Sequence, residues 1–353
     1  MRRIFPPFAG LALLPVLSVA ALAADLTVGT ATARNGQKTN GFLEVPAGVD
    51  AASNIPVIVI NGARPGPTLA LVAGSHGTEY ASILALQKLA QSVDPAGVSG
   101  ALIVVPLVNP ASFAQKVPHV NPVDGKGMNR FFPGKPDGTQ TERASWAIAQ
   151  QVVAKCDYLI DLHGGDLDEN LRQYSYWANT GQEAFDARSR AMVLAFGLDH
   201  IIIQDYRPSG PNPLAAGGAT SLSRYAERLG KPAVVAEAGH AGTTYSEDVD
   251  ALLHGSLSVM RHLKMLAGAP VPVEHPLWIA HITVMTSERD GVFYPLAGPE
   301  AYVKQGMRIG YVTDYFGNPV WDAIAPVSGV IVYIGAVPSM SKGNTVAYIG
   351  ELQ

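Results

Sequence analysis

The chain has 353 residues, with 25 Lys and Arg against 29 Asp and Glu and a net charge of −4 at pH 7. It has no basic run, which excludes nucleic acid as a natural partner, and its length predicts a large core divided between two domains. Cys156 is the only cysteine, so no intramolecular disulfide can form; lying just before a strand, it reads as a small buried side chain.

Met1-Arg2-Arg3, an apolar stretch from about Phe8 to Ala20, and the small residues Ala21-Leu22-Ala23 have the layout of a signal peptide. The stretch contains Pro15, is short for a bilayer span, and has no cysteine at its end to carry a lipid. The expectation is a leader over residues 1–23, cleavage near Ala23, and a periplasmic or secreted protein with no stable membrane anchor.

From Leu26 to Ile60 the sequence reads as short strands separated by Gly, Asn and Pro turns. Residues 67–74, Pro-Thr-Leu-Ala-Leu-Val-Ala-Gly, form the continuous apolar run of a strand buried on both faces. A helix is predicted from about Thr78 to Ser92, and a strand over residues 101–106. Then come a helix around Thr141 to Ala154, a strand over residues 158–162, a helix from Glu183 to Phe196, a strand from His200 to Gln204, a helix from Ser221 to Leu229, and a strand over residues 233–237. This alternation predicts an α/β domain over residues 24–269, a mostly parallel sheet flanked by helices, with ligands gathering at the carboxyl ends of the strands. Tyr174, Tyr176 and Arg207 fall in polar connecting segments, either lining a pocket or lying on the surface.

After about Pro270 the sequence turns β-rich with regular glycines, and residues 270–353 are expected to form a second domain. Residues 290–311 and 328–348 are two similar halves, which predicts a small β-sandwich or barrel with pseudo-twofold symmetry. This tail resembles biotinyl and lipoyl carrier domains. The hairpin that would present the modified lysine, near Asp314-Tyr315-Phe316-Gly317-Asn318, has no lysine, so the resemblance implies the fold without a swinging arm.

Four motifs carry chemistry. Gly74-Ser75-His76-Gly77-Thr78-Glu79 leaves a buried strand and enters a helix, so an imidazole and a carboxylate can turn toward one ion; a surface histidine beside a first-turn glutamate is the alternative. His163, in Asp161-Leu162-His163-Gly164, brings a second imidazole to the same sheet edge, as a ligand or as a loop residue bonded to backbone. Two His and one Glu with a free fourth position are a common catalytic zinc set. Glu237 ends a third apolar strand, where burying a carboxylate is costly without a partner or a task such as general base; the alternative is a capping or ion-paired glutamate. Asn129 and Arg130 stand side by side on a turn-rich loop, suited to a substrate carboxylate or to tying the loop down.

The ordered set His-Gly-x-Glu, Asn-Arg-x-Phe-Pro-Gly, Asp-Leu-His-Gly and Glu-x-Gly resembles the succinylglutamate desuccinylase and aspartoacylase family, within the zinc carboxypeptidase superfamily. The likeness spans about residues 55 to 350. It implies a zinc-carboxypeptidase-like fold, Zn²⁺ on His76, Glu79 and His163, Asn129 and Arg130 on a substrate carboxylate, and Glu237 as the catalytic base. Asn109-Pro110 also matches and reads as a structural turn. Two positions depart from the family pattern. Gly127 stands where an acidic residue often orients a ligand histidine, with Asp124 as a possible substitute. An upstream arginine has no clear counterpart among Lys116, His119 and Lys126.

The expected activity is hydrolysis of an amide bond in a small N-acyl amino acid by a zinc-dependent deacylase. The alternatives are a zinc carboxypeptidase acting on short or cell-wall peptides and, in another class, a catalytically idle periplasmic solute-binding or adaptor protein.

Overall fold

The computed structural model describes residues 24–353, so the leader expected over residues 1–23 lies outside the described residues. In chain order the strands are β1 (Leu26–Val28), β2 (Ala31–Ala33), β3 (Gln37–Val45), β4 (Ser53–Asn61), β5 (Arg64–Ala73), β6 (Ser99–Val105), β7 (Tyr158–His163), β8 (Glu169–Leu171), β9 (Tyr174–Asn179), β10 (His200–Asp205) and β11 (Ala233–Glu237). The helices are α1 (Tyr80–Ser92), α2 (Pro110–Gln115), α3 (Gln140–Gln151), α4 (Glu183–Phe196), α5 (Leu222–Arg228) and α6 (Ser246–His262). Eight further strands close the chain: β12 (Leu277–Thr286), β13 (Gly291–Pro295), β14 (Tyr302–Val303), β15 (Arg308–Thr313), β16 (Pro319–Ile324), β17 (Gly329–Gly335), β18 (Ser339–Met340) and β19 (Thr345–Leu352).

The large sheet runs β14-β17-β19-β12-β10-β9-β11-β7-β5-β6-β4-β3, with β8 added on β17. Its centre is parallel at β12–β10, β10–β9, β11–β7, β7–β5 and β5–β6. It is antiparallel at β9–β11 and on both flanks. The sheet is therefore mixed rather than mostly parallel, because β9 enters against β11 and hairpin-linked strands extend each edge. Along β5, Leu69, Leu71 and Ala73 pack under α1, α4 and α6, while Ala70 and Val72 pack with α3 and α5 on the opposite face. A strand covered on both faces needs apolar residues at every position, which is why β5, β6 and β7 read as unbroken runs.

Two elements escape the sequence reading. Helix α6 carries Glu247 and Asp248 in its first turn and buries Val249, Leu252, Val259 and Met260 at helical spacing. Strand β9 corrects the assignment of Tyr174 and Tyr176 to polar connecting segments: both lie in the middle of the sheet. Its Tyr-Ser-Tyr-Trp sequence looks polar, yet alternate aromatic rings fill the two faces. Tyr174 and Tyr176 meet edge to face on one side, and Trp177 packs against Trp278 on the other.

Among the described residues no α-helix follows α6. The tail repeats one topology twice, in the orders β12-β19-β17-β14 and β16-β15-β13-β18. Strands from both sets fill one core, including Met285, Phe293, Ile309, Val312, Ile331 and Ile349. The short strand of each half pairs with the other half, β14 on β17 and β18 on β13. The β15–β16 hairpin is closed by the Asp314 carboxylate, which accepts from the Phe316 and Asn318 amides. Strand β12 runs through both regions, parallel to β10 at its start and antiparallel to β19 beyond.

Candidate active site

On the sheet face that meets α3 and α5, the side chains turn polar at the carboxyl ends of β7 and β11. Leu159 and Ala233 belong to the apolar core, whereas Asp161, His163 and Glu237 follow at alternate positions beyond them. The strands pair so that His163 lies directly opposite Glu237.

The third strand end, β5, turns at Gly74, whose φ of +68° suits glycine. A Cβ at Gly77 would stand 2.3 Å from the Phe113 nitrogen, so only glycine lets the backbone pass there. Helix α1 begins at Tyr80 rather than Thr78, and Glu79 at its N-cap makes no capping bond. Its carboxylate is used elsewhere: Oε1 is 2.6 Å from His76 Nδ1, and Oε2 is 3.0 Å from His163 Nδ1. One buried carboxylate thus bridges two imidazoles, and the donor atoms of His76, Glu79 and His163 all lie within 4.8 Å of one another.

Burial opposes ionisation of Glu79, but the two imidazoles at its oxygens outweigh it and hold the carboxyl down at about 2. Burial likewise disfavours the His163 cation, and Glu79 and Asp161 together push its proton affinity well up. Glu237 is raised well above the usual carboxyl range, chiefly by burial, with His163 pulling the other way and Glu79 and Glu169 adding to the rise.

The residues fit a divalent metal. An N/N/O donor set converges at low solvent exposure, and a carboxylate stands behind one ligand. Asp161 is fully buried, its Oδ1 is 3.3 Å from His163 Nε2, and neither of its oxygens has a hydrogen-bond partner among the described residues. With Nδ1 turned to an ion, neutral His163 carries its proton on Nε2, facing this orphaned acceptor. Sequence reasoning named Asp161 only as part of a motif; its i, i+2 spacing to His163 on a strand was the available signal.

Asp124 does not take the role left open by Gly127. Its carboxylate accepts from Thr141 N, Thr141 Oγ1 and Lys126 N, and so fixes the start of α3. Asn109 caps α2 by accepting from Ser112 N, in keeping with a structural turn. The three candidates for an upstream cation are settled in the same way. Lys116 is exposed, and Lys126 is paired with Glu142. His119 reaches the cluster, its ring 6.2 Å from that of His76, but Asp166 and Asp168 face its two nitrogens at 3.2 and 2.8 Å.

A cavity of about 460 Å³ opens over the cluster, lined among others by His76, Asn129, Arg130, Tyr206, Arg224 and Glu237. Asn129 Oδ1 accepts from Leu222 N, and its Nδ2 sits 3.2 Å from His163 Nε2, so the amide braces both α5 and a candidate ligand. Arg130 is exposed and donates only through Nη1, to the Asn129 carbonyl. Of the three residues expected in connecting segments, Tyr176 lines this cavity. Tyr174 lies buried behind it, and the exposed Arg207 pairs with Asp205. Tyr206, Arg224 and the residues leading into α5 were missed because nothing in their local sequence marks them.

The family model for the succinylglutamate desuccinylase/aspartoacylase catalytic domain matches residues 65–263. A curated relative, the N-alpha-acetyl-L-2,4-diaminobutyric acid deacetylase of Halomonas elongata, is 29% identical over 330 residues, covering 89% of this chain and 91% of that protein. Among solved structures, a succinylglutamate desuccinylase from Silicibacter sp. TM1040 aligns with a TM-score of 0.79 at 24% identity, covering 90% of this chain and 95% of that one. The product-bound ectoine utilization protein EutE (DoeB) from Ruegeria pomeroyi aligns with a TM-score of 0.78 at 25% identity, covering 89% and 95%. The ordered motifs, the fold and the family match agree: the chain belongs to the succinylglutamate desuccinylase/aspartoacylase family.

Proposed function

We propose that this chain is a zinc-dependent deacylase that hydrolyses the amide bond of a small N-acyl amino acid with a free carboxylate. The observation that carries the reading is the Glu79 carboxylate bridging His76 and His163, with Glu237 opposite His163 on the neighbouring strand. The curated relative is named a deacetylase of an acetylated amino acid, which supports the same reaction class.

His76, Glu79 and His163 hold the ion. When bound, zinc polarises the scissile carbonyl and lowers the pKa of the attacking water. Glu237 accepts that water's proton and returns it to the leaving amine; its burial among carboxylates raises its proton affinity, which suits a group that must take a proton and then deliver it. Asp161 positions His163 from behind. Arg130 and Asn129 hold the substrate carboxylate, so the amide is presented to the cluster in one orientation.

A cavity of about 460 Å³ suits a compact acyl amino acid better than an extended peptide. The tail narrows it: β8 pairs with β17, and the Ala336 amide donates to the Asp168 carbonyl. We assign residues 24–269 to the hydrolase domain and residues 270–353 to an unmodified β domain of the carrier-like type, and we propose export with cleavage near Ala23.

The test is metal analysis of the mature protein and of His163→Ala, together with a panel of N-acyl amino acids and short peptides assayed with and without zinc. About one zinc per chain, lost in the variant, and turnover of N-acyl amino acids are expected. Full zinc retention in His163→Ala removes that residue from the site, and turnover confined to peptides overturns the deacylase reading.

A further inference from the structure

The cavity is walled by two guanidinium groups, and only one of them, Arg130, has a place in the reading above. The second is Arg224, on α5. Its Nη2 donates to the Asn212 and Pro213 carbonyls, while Nε is buried with no acceptor, and the Tyr206 ring lies 4.8 Å from its Cζ and backs the guanidinium. Arg228, one turn on, shows what holding the adjoining loop requires: its Nε and Nη1 bond the Leu214 and Gly218 carbonyls. Loop-holding does not account for the donor that Arg224 leaves unpaired, because a buried N–H without an acceptor costs stability.

Charge points the same way. Among the described residues neither Arg130 nor Arg224 has a carboxylate within ion-pair distance, and the only carboxylate on the cavity wall is Glu237. Glu227 lies near Arg224 but is buried, which pushes its carboxyl well up, so it stays neutral and leaves the guanidinium uncompensated. The other cations near the site, His119 and Lys126, are already paired.

We propose that Arg224 is a second anion anchor, so that the substrate is an N-acyl amino acid bearing two carboxylates, one on Arg130 and one on Arg224. This rests on the deacylase reading and sharpens it. The second carboxylate belongs either to the amino-acid side chain or to a dicarboxylic acyl group; both present the same chemistry to a guanidinium fork. A substrate with a side-chain ammonium, as in the Halomonas elongata relative's name, meets two uncompensated positive charges here and is disfavoured.

Four probes separate the outcomes: N-acetyl-L-glutamate and N-succinyl-L-alanine as the two dianionic arms, N-acetyl-L-alanine with one carboxylate, and Nα-acetyl-L-2,4-diaminobutyrate with an ammonium. Wild type, Arg224→Gln and Arg224→Lys are compared by kcat/KM when zinc-loaded and by titration calorimetry when metal-free. In wild type, one dianionic probe should lead N-acetyl-L-alanine by about 10- to 150-fold, the range for a hydrogen bond to a charged group. Arg224→Gln should erase that lead and change N-acetyl-L-alanine by less than about threefold, and Arg224→Lys should recover part of it. Equal treatment of one and two carboxylates overturns the proposal, as does a lead for the ammonium probe. So does an equal loss on every probe in Arg224→Gln, which would mean that Arg224 only holds the loop. If no probe is hydrolysed but metal-free wild type binds a dianionic probe in an Arg224-dependent way, the anchor stands and the deacylase reading falls. If no probe binds or turns over, the anchor falls too.

Discussion

Two cavities of similar size each carry an arginine, and the arginines differ in what their donors meet. The cavity between β3 and α3, about 470 Å³, is lined by Arg143, which is almost fully buried. Its guanidinium donates to the carbonyls of Pro46, Gly138, Asp50 and Ala51. Every donor nitrogen is used, and the group ties the start of α3 to the loop after β3. In the cavity at the strand ends, Arg130 spends one nitrogen on a backbone carbonyl and Arg224 leaves Nε without an acceptor. Size does not separate the two cavities; polar satisfaction does. A fully bonded guanidinium holds the fold together, whereas an unspent donor facing a cavity that also holds a buried His-Glu-His cluster is available to a ligand.

The largest effect expected at the functional end of this comparison is from Glu237→Gln. The amide keeps the shape but cannot accept the water proton, so turnover should fall by about 10² to 10⁴-fold. Zinc content and thermal unfolding should match wild type. Activity within about threefold of wild type would assign the base to another group.

The arginines should divide next. Arg130→Lys keeps the charge and loses the fork, so kcat/KM for a free-acid substrate should fall by on the order of 1.5–3 kcal/mol of transition-state binding. The corresponding amidated substrate should be poor for wild type and little changed by the variant. Arg143→Ala should behave oppositely, lowering stability by about 1–3 kcal/mol for buried carbonyls left unpaired while leaving kcat/KM of the folded fraction unchanged. If the two variants shift the same observable, the distinction drawn from donor satisfaction fails.

The sequence carried the parts of this site that sit on short-range patterns. His76 and Glu79 stand three residues apart at a strand-to-helix turn, and His163 and Glu237 end apolar runs; in each case the run announces burial and the polar residue breaks it. What the sequence did not show depends on pairing across the sheet. That Glu237 lies opposite His163 is a matter of register, and that β9 slots between β10 and β11 is a matter of topology, which its mixed Tyr-Ser-Tyr-Trp pattern does not encode. Helix α6 was legible, with an acidic first turn and periodic apolar residues, and its omission was a failure to count. Arg224 had no local signal at all: its interest lies in a cavity, a neutral Glu227 and a missing acceptor, none of which exists before the chain folds. The tail's repeat was visible as two similar segments, whereas the reciprocal exchange of β14 and β18 between the halves was not.

The smallest effect belongs to His119, a cation beside the cluster whose nitrogens both face carboxylates, in contrast to the unspent arginines. The hydrogen bond to Asp168, helped by Asp166 and opposed by burial, lifts its folded-state pKa from 6.5 to about 9. A histidine raised in the folded state adds stability that is fully present below its unfolded value, near 6.5, and is lost as pH rises through about 9. Glu169 also titrates, pushed up to about 7 by burial and Glu79, and its contribution is lost as pH rises through that value. The window from about pH 7.5 to 9.5 therefore isolates His119 from Glu169. His119 is too exposed, at 43% of its side chain, for the shift to translate into a full unit-for-unit stabilisation, because solvent screens the pair. The expected result is a Tm that falls by a few degrees across the window in wild type and stays flatter in His119→Gln, with the two proteins converging at the alkaline end. Parallel curves would mean that the Asp166–His119–Asp168 arrangement holds the loop by geometry alone, without the charge.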